Sequence, residues 1–237
     1  MPYYGYGYGL VWDPTYVLVI IGAVICMLAS SRVNSTFHKY ARVRSMTGMT
    51  GAEAAQRLLR SQGIYDVQVR HVGGSLTDHY DPRTKTVNLS DAVYAQTSVA
   101  AIGVAAHECG HAIQHNVGYA PLKLRSAFVP VANLGSTLAM PLIILGLIIG
   151  LTPFIQVGIW LFVLAIAFQV ITLPVEFNAS SRAIRLLESQ GILAGQEVDG
   201  TKKVLGAAAL TYVAAVASSP LQLLRLVILA GGRRRDD

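Results

Sequence analysis

The sequence predicts a mainly α-helical integral membrane protein with a small β-hairpin or sheet, an α+β chain with about three transmembrane helices. Three observations predict it. The 237 residues are 53% hydrophobic and only 14% charged, where an ordinary soluble domain carries about 25% charge. The deficit lies in long apolar runs. Between the first and second of these, a valine- and threonine-containing stretch with strong turn residues breaks the helical periodicity.

The first apolar run, Tyr16 to Ser30, is bounded by Asp13-Pro14 and Arg32. No basic residue precedes it and no small-residue cleavage site follows, so it reads as an uncleaved first span. Tyr3, Tyr4, Tyr6, Tyr8 and Trp12 before it suit an interfacial aromatic belt. Residues 1–31 are thus expected to form an extracytoplasmic tail and first transmembrane helix. Arg32, Lys39, Arg42 and Arg44 follow, and positive charge marks the cytoplasmic side. That juxtamembrane placement accounts for much of the net charge of +6. No nucleic-acid partner is expected, because no recognition motif accompanies the charge.

Residues 32–125 form the expected cytoplasmic part. Thr50-Gly51-Ala52-Glu53 spells a capping box, and Gly63 closes the helix it opens. Val67, Val69 and Val72 mark a strand. Leu76 to Tyr80, the turn Asp81-Pro82-Arg83, and Thr84 to Leu89 read as a hairpin. Asp78 and Asp81 are turn formers in this reading. A helix then starts at Ser90 or at Thr97-Ser98 and ends near Gly118 and Pro121.

Ala127 to Gly150 and Phe154 to Val175 contain no Lys, Arg, Asp or Glu. Joined by Leu151-Thr152-Pro153, they make the transmembrane hairpin of residues 126–176. Residues 177–237 are expected to be a C-terminal cytoplasmic helical part. Within it, Leu205 to Ala230 is apolar but broken by Ser218-Ser219-Pro220, with Gln222 and Arg225 following. A span there would place Arg233 to Arg235 outside, so the stretch reads as two buried or membrane-abutting helices. The octets at Arg57 to Ile64 (RLLRSQGI) and Arg185 to Ile192 (RLLESQGI) read as one solution to ending a helix.

The chemistry is carried by His107-Glu108-Cys109-Gly110-His111. Residues four apart lie on the same face of a helix, so His107 and His111 can grip one Zn²⁺, while Glu108 can hold a water beside it. A catalytic zinc usually takes a third protein ligand. His115 lies about 12 Å along the helix from His107, too far for one ion. Glu176 is the better candidate, because a lone carboxylate at the end of an uncharged span is a functional group by default. Its alternative reading is an interfacial carboxylate paired with Arg182 or Arg185. Cys26 and Cys109 do not suggest a disulfide, and Cys109 reads as a small buried residue.

The motif His107 to His111, the helical hairpin, and Glu176-Phe177-Asn178-Ala179-Ser180 together resemble the gluzincin arrangement of membrane metallopeptidases. Leu76 to Pro82, Val99 to Gln114 and Glu176 to Ala183 are similar to the bacterial neutral zinc metallopeptidase family typified by YugP, over about residues 15 to 230. More distantly the chain resembles HtpX-like peptidases, which carry an Asp four residues after the glutamate ligand. Ser180 stands there in this chain. The resemblance implies an integral, zincin-like peptidase of the bacterial cell membrane with its site facing the cytoplasm. It implies one Zn²⁺ per chain, held by His107, His111 and Glu176, with Glu108 as general base. Peptide or membrane-protein substrates are implied, with the lipid bilayer as the other partner. His79, Tyr80 and Arg182 are candidates for stabilising the oxyanion, and Ser180 or Asn178 for orienting a histidine. Thr84 to Leu89 is expected to be an edge strand that pairs with extended substrate. The alternative function is a zinc-binding membrane scaffold or regulator without hydrolysis.

Overall fold

The computed structural model describes residues 13–232. The proposed aromatic belt from Tyr3 to Trp12, and Arg233 to Arg235, lie outside the described residues. The chain is mostly helical, in the order α1 (Tyr16–Ala41), α2 (Gly51–Ser61), β1 (Gln68–His71), β2 (His79–Asp81), β3 (Thr86–Leu89), α3 (Val99–Asn116), α4 (Ala120–Ile149), α5 (Thr152–Ser189) and α6 (Gln196–Gly232). It folds as two compact units. One takes residues 13–28, 128–170 and 213–232; the other takes Ala29–Ala127 and Ile171–Tyr212.

The first unit is built only from portions of α1, α4, α5 and α6. These four are long and apolar enough to cross a membrane. The expectation of about three spans is therefore corrected to four candidates among the described residues. The difference is α6, one continuous helix of 37 residues rather than two helices broken at Pro220. Several of its polar side chains find partners within the unit. Arg225 donates to Asp13 at 3.1 Å and lies 4.2 Å over the Tyr16 ring, so its charge is paired. Ser218 and Ser219 both donate to the Ala215 carbonyl one turn before Pro220. Ser219 also reaches Gln169 at 2.9 Å. Asp13→Asn should accordingly lower the melting temperature of detergent-purified protein, by leaving the Arg225 guanidinium without its counter-ion. An unchanged melting curve would contradict this account.

Small residues let these helices approach closely. A Cβ on Gly135 would fall 2.8 Å from the Leu161 carbonyl oxygen, and one on Gly158 would fall 2.8 Å from that of Ala139. Tight backbone contact of this kind replaces the hydrophobic drive that lipid removes.

In the second unit, α2 starts with the predicted capping box. Thr50 accepts from the Glu53 amide, and Glu53 Oε2 accepts from the Thr50 amide at 2.8 Å. The two similar octets end α2 and α5 identically. Gly63 and Gly191 take φ of +70° and +62°, and the next isoleucine amide in each returns to the Leu59 or Leu187 carbonyl. Ser98 caps α3 by accepting from the Ala101 amide. Leu58, Leu59, Val87, Leu89, Val93, Ile102, Leu187 and Leu193 form one core with them.

The sheet has the order β1-β3-β2, with β1 parallel and β2 antiparallel to β3. The hairpin is as read from sequence. The expected edge strand is not: β3 is central, paired on both sides and buried at all four residues. Val87 and Leu89 on one face and Thr86 and Asn88 on the other are all enclosed, and with both sides paired β3 has no free edge for an extended peptide. The edges belong to β1 and β2.

Candidate metal centre

Every residue of the site lies in the second unit. His107 and His111 project from one face of α3, one turn apart. Glu176 enters from α5. Their ligand atoms form a near-regular triangle: His107 Nε2 lies 3.2 Å from His111 Nε2, and Glu176 Oε2 lies 3.3 Å and 3.6 Å from the two nitrogens. A tetrahedral zinc with bonds of 2.0–2.1 Å requires ligand–ligand edges of about 3.3 Å. The triangle fits that ion. Glu176 is buried, and its Oε2 has no hydrogen-bond partner among the described residues. Such an atom is costly unless a cation completes it. Burial opposes a charge on His111, but the Glu176 and Glu108 carboxylates outweigh it and hold the imidazole above its ordinary pKa. Two carboxylates around two imidazoles leave a place for positive charge.

Outer contacts fix the ligands. Ser180 Oγ lies 3.0 Å from His107 Nδ1, so the hydroxyl that the sequence offered for orienting a histidine does meet one. His111 Nδ1 faces Gln114 Oε1 at 3.1 Å. Gln114 is fully buried and donates to the Val175 carbonyl and to Asn178 Oδ1. Arg125 Nη1, on α4, donates to Glu176 Oε1 at 3.2 Å, which leaves the other oxygen turned to the imidazoles. The partner is thus Arg125, not Arg182 or Arg185. Contacts of this class are worth 10–100-fold in metal affinity. Ser180→Ala and Gln114→Leu should each weaken zinc binding by roughly that factor. Chelator competition on the purified protein reads it directly, and wild-type affinity in both would remove these residues from the account.

Glu108 is 8% exposed and lines a cleft of about 160 Å³ with His107, Glu176, Ser180 and Tyr212. Tyr212, from α6, brings its phenol to the Glu176 and Glu108 carboxylates. Three other sequence candidates are held elsewhere. His79 bonds the Thr77 carbonyl and Asn88. Arg182 donates to Asn178. Tyr80 lies 2.8 Å from His115 Nδ1, and burial pushes its phenol up to about 12. None of the three lines the cleft. His115 itself stays outside the metal group. Cys109 points away, toward the Ala55 carbonyl, and burial pushes its thiol well up, so it is not a nucleophile.

Sequence reasoning missed Gln114, Arg125 and Tyr212. Gln114 was within reach of it, three residues after His111 and seven after His107, on the ligand face of α3. Arg125 and Tyr212 lie on other helices, with no spacing that ties them to the motif.

The geometry therefore gives a chain whose long apolar helices fit a membrane protein and whose two histidines and one carboxylate could hold a metal ion. Comparison with known proteins agrees. Residues 15–231 match the family described as "Putative neutral zinc metallopeptidase", and the chain belongs to that family. It is 47% identical over 215 residues to "Putative membrane protease YugP" of Bacillus subtilis (strain 168), covering 90% of this chain and 96% of that protein. No solved structure matches.

Proposed function

We infer that the protein is a membrane-integrated zinc endopeptidase whose site faces the cytoplasm. The observation that carries the reading is the ligand triangle of His107, His111 and Glu176, with Glu108 beside it in an open cleft. A purely structural zinc would need no base there and no open cleft.

His107, His111 and Glu176 would hold the ion. When bound, zinc supplies Lewis acidity, lowering the pKa of a water and polarising the scissile carbonyl. Glu108 takes the proton from the attacking water as the C–O bond forms and the carbonyl pair moves onto oxygen, then delivers it to the amine nitrogen as the carbonyl re-forms and the C–N bond breaks. Tyr212 is the cleft's phenol donor and is assigned the developing oxyanion. Ser180 and Gln114 keep the imidazole Nε2 atoms turned inward, and Arg125 keeps Glu176 oriented. The substrates are peptides or membrane proteins, met at the cytoplasmic face of the bacterial cell membrane.

The test is metal content and casein or peptide cleavage by detergent-purified wild type and Glu176→Ala. One zinc per chain in wild type and little in the variant supports the ligand set. Equal zinc in both sends the third ligand elsewhere. Tyr212→Phe should keep its zinc and lose roughly 10²–10³-fold in kcat, the usual effect of deleting an oxyanion donor. A full wild-type rate would return the role to another group.

A further inference from the structure

The four-helix unit carries a groove of its own. It lies between α1 and α6, with α5 behind it, and has a volume of about 320 Å³. Leu18, Gly22 and Cys26 mark its length along α1, a rise of about 12 Å or just over two helical turns. Small residues make it. A Cβ on Gly22 would fall 3.1 Å from the Ser218 Cβ, so α1 and α6 all but touch there, and Ala23 beside that point is exposed. One wall is polar. Cys26 Sγ donates to Ser218 Oγ at 3.4 Å, and Ser218 donates onward to the Ala215 carbonyl at 3.1 Å, so these groups are engaged. Gln222 is not. It lines the groove, half-buried, within the apolar stretch of α6, and its carboxamide makes no hydrogen bond among the described residues. An amide without a partner is costly in hydrocarbon, and a polar side chain inside a span is a functional group by default.

We propose that this groove docks one transmembrane helix of another membrane protein, through an asparagine, glutamine, serine or threonine that pairs with Gln222. The docking goes beyond the peptidase reading and holds with or without hydrolysis. Helices associate in lipid where small residues let backbones approach and polar side chains bond across the contact. The groove offers both over a length of two turns. An apolar cavity of about 150 Å³ holds a benzene ring, so about 320 Å³ has room for two side chains of an entering helix, one turn apart. The other occupants fit less well. A lipid chain matches the shape but leaves the Gln222 carboxamide unpaired. A second copy related by a twofold axis brings the same patch to itself, groove against groove, and leaves both unfilled.

The test uses the full-length Glu108→Gln chain, one copy per phosphatidylcholine nanodisc, with a fluorophore at its C-terminus. The probes are lysine-flanked leucine–alanine helices of about 20 residues, long enough to span, that differ only in a central Asn or Leu. Energy transfer from the labelled peptide gives the affinity. The Asn peptide should bind about three- to tenfold more tightly than the Leu peptide. Gln222→Leu should abolish that difference. Ala23→Leu, which fills the groove from an exposed position, should abolish binding of both. A peptide cysteine one turn from the Asn should form a disulfide with Cys26 under mild oxidation, and one on the opposite face should not. Equal affinities for the two peptides, or a preference that survives Gln222→Leu, would overturn the pairing; binding that survives Ala23→Leu would overturn the location. Disulfides between the Cys26 thiols of two copies in vesicles, with no peptide adduct, would give the groove to a second copy instead. A phospholipid kept through purification by wild type and lost from Ala23→Leu, with no peptide bound, would give it to a lipid. Binding is read on a chain without the proposed base, so its result and that of the peptidase reading stand apart.

Discussion

Replacing Glu108 by Gln should leave one zinc per chain and lower peptide cleavage by roughly 10²–10⁴-fold, the usual contribution of a positioned general acid–base. The two effects separate because Glu108 is not a member of the ligand triangle. Glutamine keeps the volume and the helix, so α3 and its histidines stay in place. What it lacks is a basic oxygen able to take a proton from water and return it to the amine. Zinc determined by atomic absorption, with cleavage of casein or a membrane-protein substrate, measures both sides. Cleavage by the variant within a few-fold of wild type would remove Glu108 from the mechanism. Zinc lost along with activity would mean that the carboxylate helps hold the metal. A wild-type protein that binds zinc and cuts nothing, under the same conditions as a working control peptidase, would favour the scaffold alternative.

The site's legibility in sequence followed the range of the interactions that build it. His107, Glu108 and His111 were readable because helical geometry alone places them. The Thr50–Glu53 box and the twin glycine-ended octets were readable for the same reason, each being a hydrogen-bond pattern closed within eight residues. Glu176 was readable by a different rule, the rarity of a lone carboxylate at the end of an apolar span. Apart from Gln114, which lies three residues after His111, the failures are long-range. Arg233 to Arg235 argued against a fourth span, but α6 runs unbroken through Pro220, with Arg225 paired to Asp13, 212 positions away. The Thr84 to Leu89 stretch looked like an edge because nothing local says that β1 crosses to lie parallel beside β3. His79 and Tyr80 were sensible donors by residue type. Pairing β2 with β3 engages His79 with Asn88 instead, and Tyr80 meets His115 off the cleft. Arg125 and Tyr212 carry no motif and enter only when α4 and α6 fold back onto α3 and α5.

The residue between Cys109 and His111 should be highly sensitive to substitution although it holds no ligand atom. A Cβ on Gly110 would fall 2.6 Å from the Ala179 carbonyl oxygen and 3.0 Å from the same residue's carbonyl carbon and Cα. All three atoms are α5 backbone, so no side-chain rotation can relieve the clash, and α5 itself must move. Ala179 lies between Glu176, the proposed third ligand, and Ser180, whose hydroxyl meets His107. A shift large enough to admit a methyl group therefore opens ligand edges of 3.3 and 3.6 Å and stretches the 3.0 Å contact to Ser180 at once. Gly110→Ala should cost about 1–3 kcal/mol of stability, as overpacking does. It should also weaken zinc binding by at least about 10–100-fold, the penalty for disturbing groups that orient a metal ligand. Cys109→Ala is the comparison, because Cys109 faces α2 at the Ala55 carbonyl and touches no ligand. It should lower Tm through the lost packing while keeping wild-type zinc affinity. If Gly110→Ala bound zinc as tightly as wild type, the close approach of α3 and α5 would not be what sets the metal triangle, and the explanation for glycine in the motif would have to be sought elsewhere.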